Sequence, residues 1–179
     1  MNSKGVGNSY EREFSKKLSL WVSNNTNDDL FWRDLSSGAR FTSRKKQGKD
    51  TCVKGDIVAV DLIYKEFTDL FFIDTKSYSS INLLFTNFSN LVSNGIFQQW
   101  LKVNNDCPSS MIPFMPVKIR DRKTPEFIIF PITTKFHSSG AMLYDLIFKS
   151  KRYSLWLILQ DDFFVSNDWR TFMMENKKI

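Results

Sequence analysis

The amino-acid sequence predicts an α/β protein in which a central mixed β-sheet is flanked by helices. Short apolar segments rich in β-branched and aromatic residues alternate with segments of helical periodicity, and helices fall between strands rather than after them. A length of 179 residues suits one domain, and 17 Phe and 5 Trp supply the material of a hydrophobic core.

The first predicted element is an amphipathic helix over residues 9–23. Tyr10, Phe14 and Leu18 recur at helical spacing, and Ser9 is suited to cap the helix N-terminus.

Two acids of this helix differ in their predicted direction. At about 100° per residue, Glu11 lies roughly 50° from the centre of the apolar stripe and Glu13 roughly 110° away. We therefore expect Glu11 at the edge of the buried face and Glu13 toward solvent. Glu11 is also compatible with an ordinary first-turn acid, which the helix dipole favours.

The later elements follow from apolar runs, helical spacing and polar breaks. Residues 139–149 place Leu143, Leu146 and Ile147 on one helical face, which predicts a helix. The predicted order after the first helix is strand 30–36, basic loop 39–54, strand 56–64, strand 69–77, helix 88–103, strand 112–119, strand 126–133, helix 139–149, strand 154–159 and short helix 168–174.

Two of these strands carry an acid in apolar surroundings, Asp56 in one and Asp74 in the next. Such a charge is costly unless it is paired or binds a metal. Residues two apart in a strand share a face, so Asp74 and Lys76 point the same way. If the strands are neighbours, both acids meet at one end of the sheet, and hard oxygen ligands of this kind suit Mg²⁺. The alternative is that the acids cap turns and that Asp74 and Lys76 form a surface ion pair.

The basic surplus also indicates an anionic partner. The net charge is +6, and cations are concentrated before the Asp56 strand. These residues are predicted to follow DNA phosphates, although a solvated loop is an equal alternative. They are Arg40, Arg44, Lys45, Lys46, Lys49 and Lys54.

Several classes of protein are not indicated. The single histidine, His137, and the two cysteines give no catalytic triad, zinc site or disulfide framework. No phosphate-binding glycine motif appears, so no nucleotide cofactor is expected. No apolar run is long enough for a membrane span, and no apolar signal region is evident at the N-terminus, which predicts a cytoplasmic protein.

Four ordered motifs resemble those of the PD-(D/E)XK nuclease superfamily, and most of all those of archaeal-type Holliday-junction resolvases. The segments 112–118 and 126–130 look like the last two core strands of that fold, so the resemblance covers roughly residues 5–132. The motifs are Gly7-Asn8-Ser9-Tyr10-Glu11-Arg12-Glu13-Phe14, Ser36-Ser37-Gly38, Gly55-Asp56-Ile57-Val58 and Ile73-Asp74-Thr75-Lys76.

The resemblance implies a restriction-endonuclease-like core and a set of roles. Asp56 and Asp74 would ligate Mg²⁺, for which Mn²⁺ can substitute, together with the Thr75 carbonyl. Glu11 would help to hold the ion or its waters, and Lys76 would position the nucleophile. Ser37 resembles a position near the scissile phosphate, although it is equally compatible with a simple turn.

The chain also departs from the resolvase pattern. Asp74 stands where resolvases usually have Glu, the segment between Gly38 and Gly55 is longer than expected, and residues 133–179 form an extension without a matching part. We therefore expect one nuclease domain over residues 1–179, with its core at about 5–132.

The predicted function is a Mg²⁺-dependent DNA endonuclease that acts on branched DNA such as Holliday junctions, in recombination and repair. The alternatives are a restriction-type or repair endonuclease on duplex DNA, and a DNA-binding module of the same fold without catalysis. The resemblance implies a homodimer, and we expect apolar residues of the extension to build its contact. These are Leu155, Trp156, Leu157, Ile158, Phe163, Phe164, Trp169 and Phe172.

Overall fold

A computed structural model describes residues 3–34, 55–78, 95–120, 125–148 and 151–177. The helices are α1 (Ser3–Val22), α2 (Lys65–Leu70), α3 (Ile96–Asp106), α4 (Gln160–Ser166) and α5 (Trp169–Asn176). The strands are β1 (Phe31–Arg33), β2 (Ile57–Ala59), β3 (Phe71–Ile73), β4 (Lys76–Tyr78), β5 (Ile112–Ile119), β6 (Phe127–Pro131), β7 (Met142–Phe148) and β8 (Lys151–Leu159).

The main sheet has six strands and mixed direction. Its order is β3-β5-β6-β8-β7, and β4 also pairs with β5, beyond the end of β3. Strands β3 and β4 run parallel to β5, whereas the β5–β6, β6–β8 and β7–β8 pairs are antiparallel. Strands β1 and β2 form a separate antiparallel ribbon. The predicted class, α/β with a mixed central sheet flanked by helices, is confirmed.

Each face of the main sheet is covered by a hydrophobic layer. On one face, α1, α2, α4 and α5 enclose an aromatic core in which Phe114 of β5 contacts Phe14, with 5.8 Å between ring centroids. Trp21 joins α1 to the C-terminal helices, at 5.3 Å from Phe163 and 6.0 Å from Phe172. On the other face, α3 buries Trp100 against the sheet.

Three predictions about the elements are wrong. Helix α1 begins at Ser3, so Ser9 lies inside the helix and is not its N-cap. The helix predicted over 139–149 is strand β7, because seven residues of this segment pair with β8. The strand predicted over 56–64 ends at Ala59, after which Asp61 caps a 3₁₀ turn by accepting a hydrogen bond from the Ile63 amide at 3.0 Å.

The C-terminal aromatic and aliphatic residues complete the chain's own core. Strand β8 lies inside the sheet between β6 and β7, and helices α4 and α5 pack on α1. Five of the eight residues assigned to a dimer contact are buried, and the other three pack partly buried against the core. The five buried side chains have no surface to offer a partner, and the dimer contact itself stays a prediction. Among the described helices, none is long and apolar enough to cross a membrane.

Candidate functional site

The two acid-bearing segments meet where the β1–β2 ribbon touches the main sheet. Gly55 forms a parallel bridge with Ile73, and the Asp56 amide donates a hydrogen bond to the Ile73 carbonyl at 2.7 Å. Gly55 has φ of +78°, and a Cβ at this position would lie 2.3 Å from the Ile73 oxygen. Only glycine permits this approach, which brings Asp56 to the end of β3.

Asp56 is held by the residues that follow β3. Its Oδ2 accepts a hydrogen bond from the Thr75 amide at 2.9 Å and lies 3.4 Å from the Thr75 hydroxyl. The Asp74 amide donates to the Phe114 carbonyl of β5 at 3.1 Å. The backbone around both acids is therefore fixed by the sheet.

The two carboxyl groups are also coupled electrostatically. Burial and the charge of Asp74 raise the pKa of Asp56 well above its usual value, and the Lys76 ammonium offsets part of this rise. A hydrogen bond with Asp74 and the charge of Glu11 raise the Asp56 pKa further. The site thus concentrates negative charge in a partly buried place.

Lys76 is the cation of this cluster. Its ammonium forms an ion pair with Asp74, and about a fifth of each side chain is exposed. As the first residue of β4, Lys76 is fixed by pairing opposite Val117 of β5. The structure therefore brings together Asp56, Asp74, Thr75 and Lys76.

Glu11 approaches this cluster from helix α1, but its carboxylate is engaged with another residue. It forms an ion pair with Arg33 of β1, and the exposed fractions of the two side chains are 15% and 22%. Its half-buried position agrees with the predicted helix phase, and its charge acts on Asp56.

As the helix phase predicted, Glu13 is more exposed than Glu11, with 40% of its side chain exposed against 15%, but it is not free in solvent. Its carboxylate binds Lys118 of β5 at 2.6 Å, and the same ammonium lies 2.9 Å from Glu126. Glu126 also binds Lys17 of α1 at 2.7 Å, so a second charge network ties the helix to the sheet. Long side chains allow Glu13 to reach this network from outside the apolar stripe.

The acid cluster fits a hard divalent cation by its donor chemistry. Mg²⁺ is usually bound through one or two carboxylates together with water and substrate oxygens, and Asp56 and Asp74 supply that number. No group of three or more His, Cys, Asp or Glu placed to hold a metal occurs among the described residues. Glu11, occupied by Arg33, does not complete such a group.

The predicted DNA-contacting residues lie outside the described part of the chain. They are Ser37, Arg40, Arg44, Lys45, Lys46, Lys49 and Lys54.

Two residues near the cluster were missed by the sequence analysis. Arg33 neutralises Glu11, and only the fold places these distant residues together. The Tyr78 hydroxyl is buried and has no hydrogen-bond partner in the described structure, and burial together with Asp74 raises its pKa to about 12. The alternation of Asp74, Lys76 and Tyr78 along one strand face was a signal that could have revealed the tyrosine.

Comparison with protein families agrees with this geometry. The model of the family described as "phage putative PDDEXK endonuclease" matches residues 2–154. The chain belongs to this PDDEXK endonuclease family. Membership supports the PD-(D/E)XK superfamily and a nuclease function, and the match extends through β7 into β8. No curated protein and no solved structure gives a significant match.

Proposed function

We propose that the protein is a Mg²⁺-dependent endonuclease that hydrolyses phosphodiester bonds in DNA. The observation that carries this proposal is the convergence of Asp56, Asp74 and Lys76 where β3 gives way to β4. Membership in the PDDEXK family supports the same chemistry.

In this proposal Asp56 and Asp74 hold the cation, with the Thr75 carbonyl as a further oxygen donor. A bound Mg²⁺ acidifies water and stabilises negative charge on the reacting phosphate. Lys76 donates hydrogen bonds that orient the attacking water, and its positive charge offsets charge that develops on the phosphate. Glu11 helps to hold the water around the ion from the α1 side, while Arg33 fixes the direction of its carboxylate.

Branched DNA such as a Holliday junction is the substrate that we propose, and a homodimer is the proposed assembly. The support is the resemblance of the Glu11, Asp56 and Asp74–Lys76 motifs to those of junction resolvases. Two opposed strands of a junction require two cuts, and a two-fold dimer presents two identical sites. Linear duplex DNA is the alternative substrate. The alternative function is DNA binding without catalysis by a protein of the same fold.

Cleavage of a labelled four-way junction and of a linear duplex of the same sequence tests the proposal. The protein should cut in Mg²⁺ or Mn²⁺ and fail to cut in EDTA, while Ca²⁺ should permit binding with little turnover. Asp56→Asn, Asp74→Asn and Lys76→Ala should each lower the cleavage rate by orders of magnitude in folded protein. Asp69→Asn is the matched control, since Asp69 is an exposed acid of α2 that pairs with Lys65. Robust cleavage in EDTA, or full activity of Asp74→Asn, overturns the assignment.

Light scattering during the same assays tests the assembly. A dimer that nicks opposed strands at symmetric positions supports the proposal. A monomer that resolves junctions symmetrically rejects the dimer and leaves the nuclease assignment intact.

A further inference from the structure

A cavity of about 370 Å³ lies between α1 and β1, beside the acid cluster but distinct from it. This volume is within the range of pockets that hold small ligands. Three cations, two aromatic rings and two acids line it together. The lining residues are Arg12, Ser15, Lys16, Asp28, Asp29, Phe31, Trp32 and Arg33.

Trp32 is the unusual member of this lining. Its side chain is 54% exposed although it lies on a strand. Its indole N–H donates a hydrogen bond to Asp29, which limits rotation of the ring. The cavity therefore has a fixed aromatic surface that is open to solvent.

The charges around this ring favour an anion on one side. Lys16 is paired with Asp28 at 3.1 Å and Arg33 is paired with Glu11, so these cations are largely compensated. Arg12 is exposed and forms no ion pair with any other residue that the structure describes. An exposed guanidinium beside an open indole is a combination that suits a phosphate attached to an unstacked base.

The cavity is joined to the acid cluster through consecutive residues of the chain. Trp32 is followed by Arg33, which pairs with Glu11, and then by Asp34, whose amide donates to the Asp56 carbonyl at 2.7 Å. Two residues of extended chain span at most about 7 Å, about twice the roughly 3.4 Å between neighbouring nucleotides along a strand of B-DNA. A DNA strand at the acid cluster can therefore reach Trp32 with a nucleotide one or two positions away.

We propose that this cavity is a subsite for one unpaired nucleotide of the DNA substrate. Trp32 stacks on the base, and Arg12 binds an adjoining phosphate. A duplex keeps its bases paired and stacked inside the helix, so only DNA with unpaired nucleotides, as in the single-stranded arms of a branched substrate, fills the subsite. The inference rests on the proposed function and specifies the substrate feature that the site recognises.

The binding test is fluorescence anisotropy with the full chain in EDTA, so that affinity is measured without cleavage. The probes are a single-stranded oligonucleotide, a duplex with unpaired arms and a fully paired duplex. Trp32→Ala should weaken binding of the first two by about 5- to 140-fold, the range that loss of one aromatic–base stack produces. Trp32→Phe should retain most of this affinity, and binding of the paired duplex should not change.

Met174→Ala provides the matched control, since Met174 is an apolar side chain of α5 that is 59% exposed. It should alter none of the three affinities. Equal affinity of Trp32→Ala and the unmodified protein for single-stranded DNA refutes the subsite. An equal loss for all three probes also refutes it, because the indole would then not select unpaired nucleotides.

The two proposals fail in different ways. If the protein cuts no DNA but Trp32→Ala still binds single-stranded DNA more weakly than the unmodified protein, the nuclease proposal fails and the subsite stands. If the protein cuts DNA in Mg²⁺ and the Trp32 variants bind and cut all substrates like the unmodified chain, the subsite fails and the nuclease proposal stands.

Discussion

Replacement of Gly55 by alanine should destabilise the protein and displace Asp56. A non-glycine residue at φ of +78° costs about 1–2 kcal/mol. The new Cβ would also lie 2.3 Å from the Ile73 oxygen, the atom that accepts the 2.7 Å hydrogen bond from the Asp56 amide. Loss of that bond adds about 0.5–1.5 kcal/mol. The free energy of unfolding should therefore fall by about 1.5–3.5 kcal/mol.

Urea denaturation followed by tryptophan fluorescence measures this change. With a slope of about 2 kcal/mol per molar urea, the midpoint should fall by about 0.8–1.8 M. Gly95→Ala is a matched control, because Gly95 has nearly the same φ of +76° and no atom within 4 Å of the place that a Cβ would occupy. Its free energy of unfolding should fall only by the cost of a non-glycine residue at positive φ, about 1–2 kcal/mol. Equal losses for the two variants would show that close approach to Ile73 does not require glycine.

Three further predictions concern charge and packing. Although burial opposes it, hydrogen bonds from two lysines hold the pKa of Glu126 below 4.5. These ion pairs therefore stabilise the fold above the usual carboxyl pKa, and this stabilisation is lost as pH falls through the lowered pKa of Glu126. Glu126→Gln should weaken the dependence of the free energy of unfolding on pH in acid, and an unchanged dependence would contradict the reasoning. Arg33→Gln should lower the free energy of unfolding, measured by urea denaturation, by up to about 3 kcal/mol, because it leaves Glu11 unpaired. Adding Glu11→Gln should recover part of this loss. Additive losses would exclude coupling between these two residues. Neutralising the basic loop should weaken DNA binding and flatten its salt dependence without a large change in the cleavage rate at saturating protein. An unchanged salt dependence would indicate that these residues form a solvated loop that does not contact DNA. The loop residues changed are Arg44, Lys45, Lys46 and Lys49.

The sequence predicted the part of the site that depends on short-range patterns. Alternation along a strand is a local property, and it placed Asp74 and Lys76 on one face. The helix period likewise placed Glu11 on the side of α1 that approaches Asp56. Both predictions required only a few neighbouring residues and a fixed angle or spacing.

The features that the sequence analysis missed either depend on pairing partners outside the segment or belong to an element too short to show a period. Leu143, Leu146 and Ile147 fit a helical face, but the segment becomes strand β7 because β8 offers seven paired residues. Helix α2 has only six residues, fewer than two turns, so its period could not be separated from the flanking strands. The Glu11–Arg33 ion pair carries no local signal, because it exists only after β1 has packed beside α1.

The contacts of Trp21 with the C-terminal helices also have a consequence for synthesis. Residues 160–176 leave the ribosome well after α1, at about 5–20 residues per second. The 139 positions between Trp21 and Gln160 therefore take roughly 7–28 s to translate, and during this time α1 lacks the aromatic rings that cover it. Glu11 lies on this same helix, so we expect its carboxylate to take its final position beside Asp56 only after translation has passed α5. We therefore expect a nascent chain to bring Glu11 beside the two aspartates only after most of its sequence has been made.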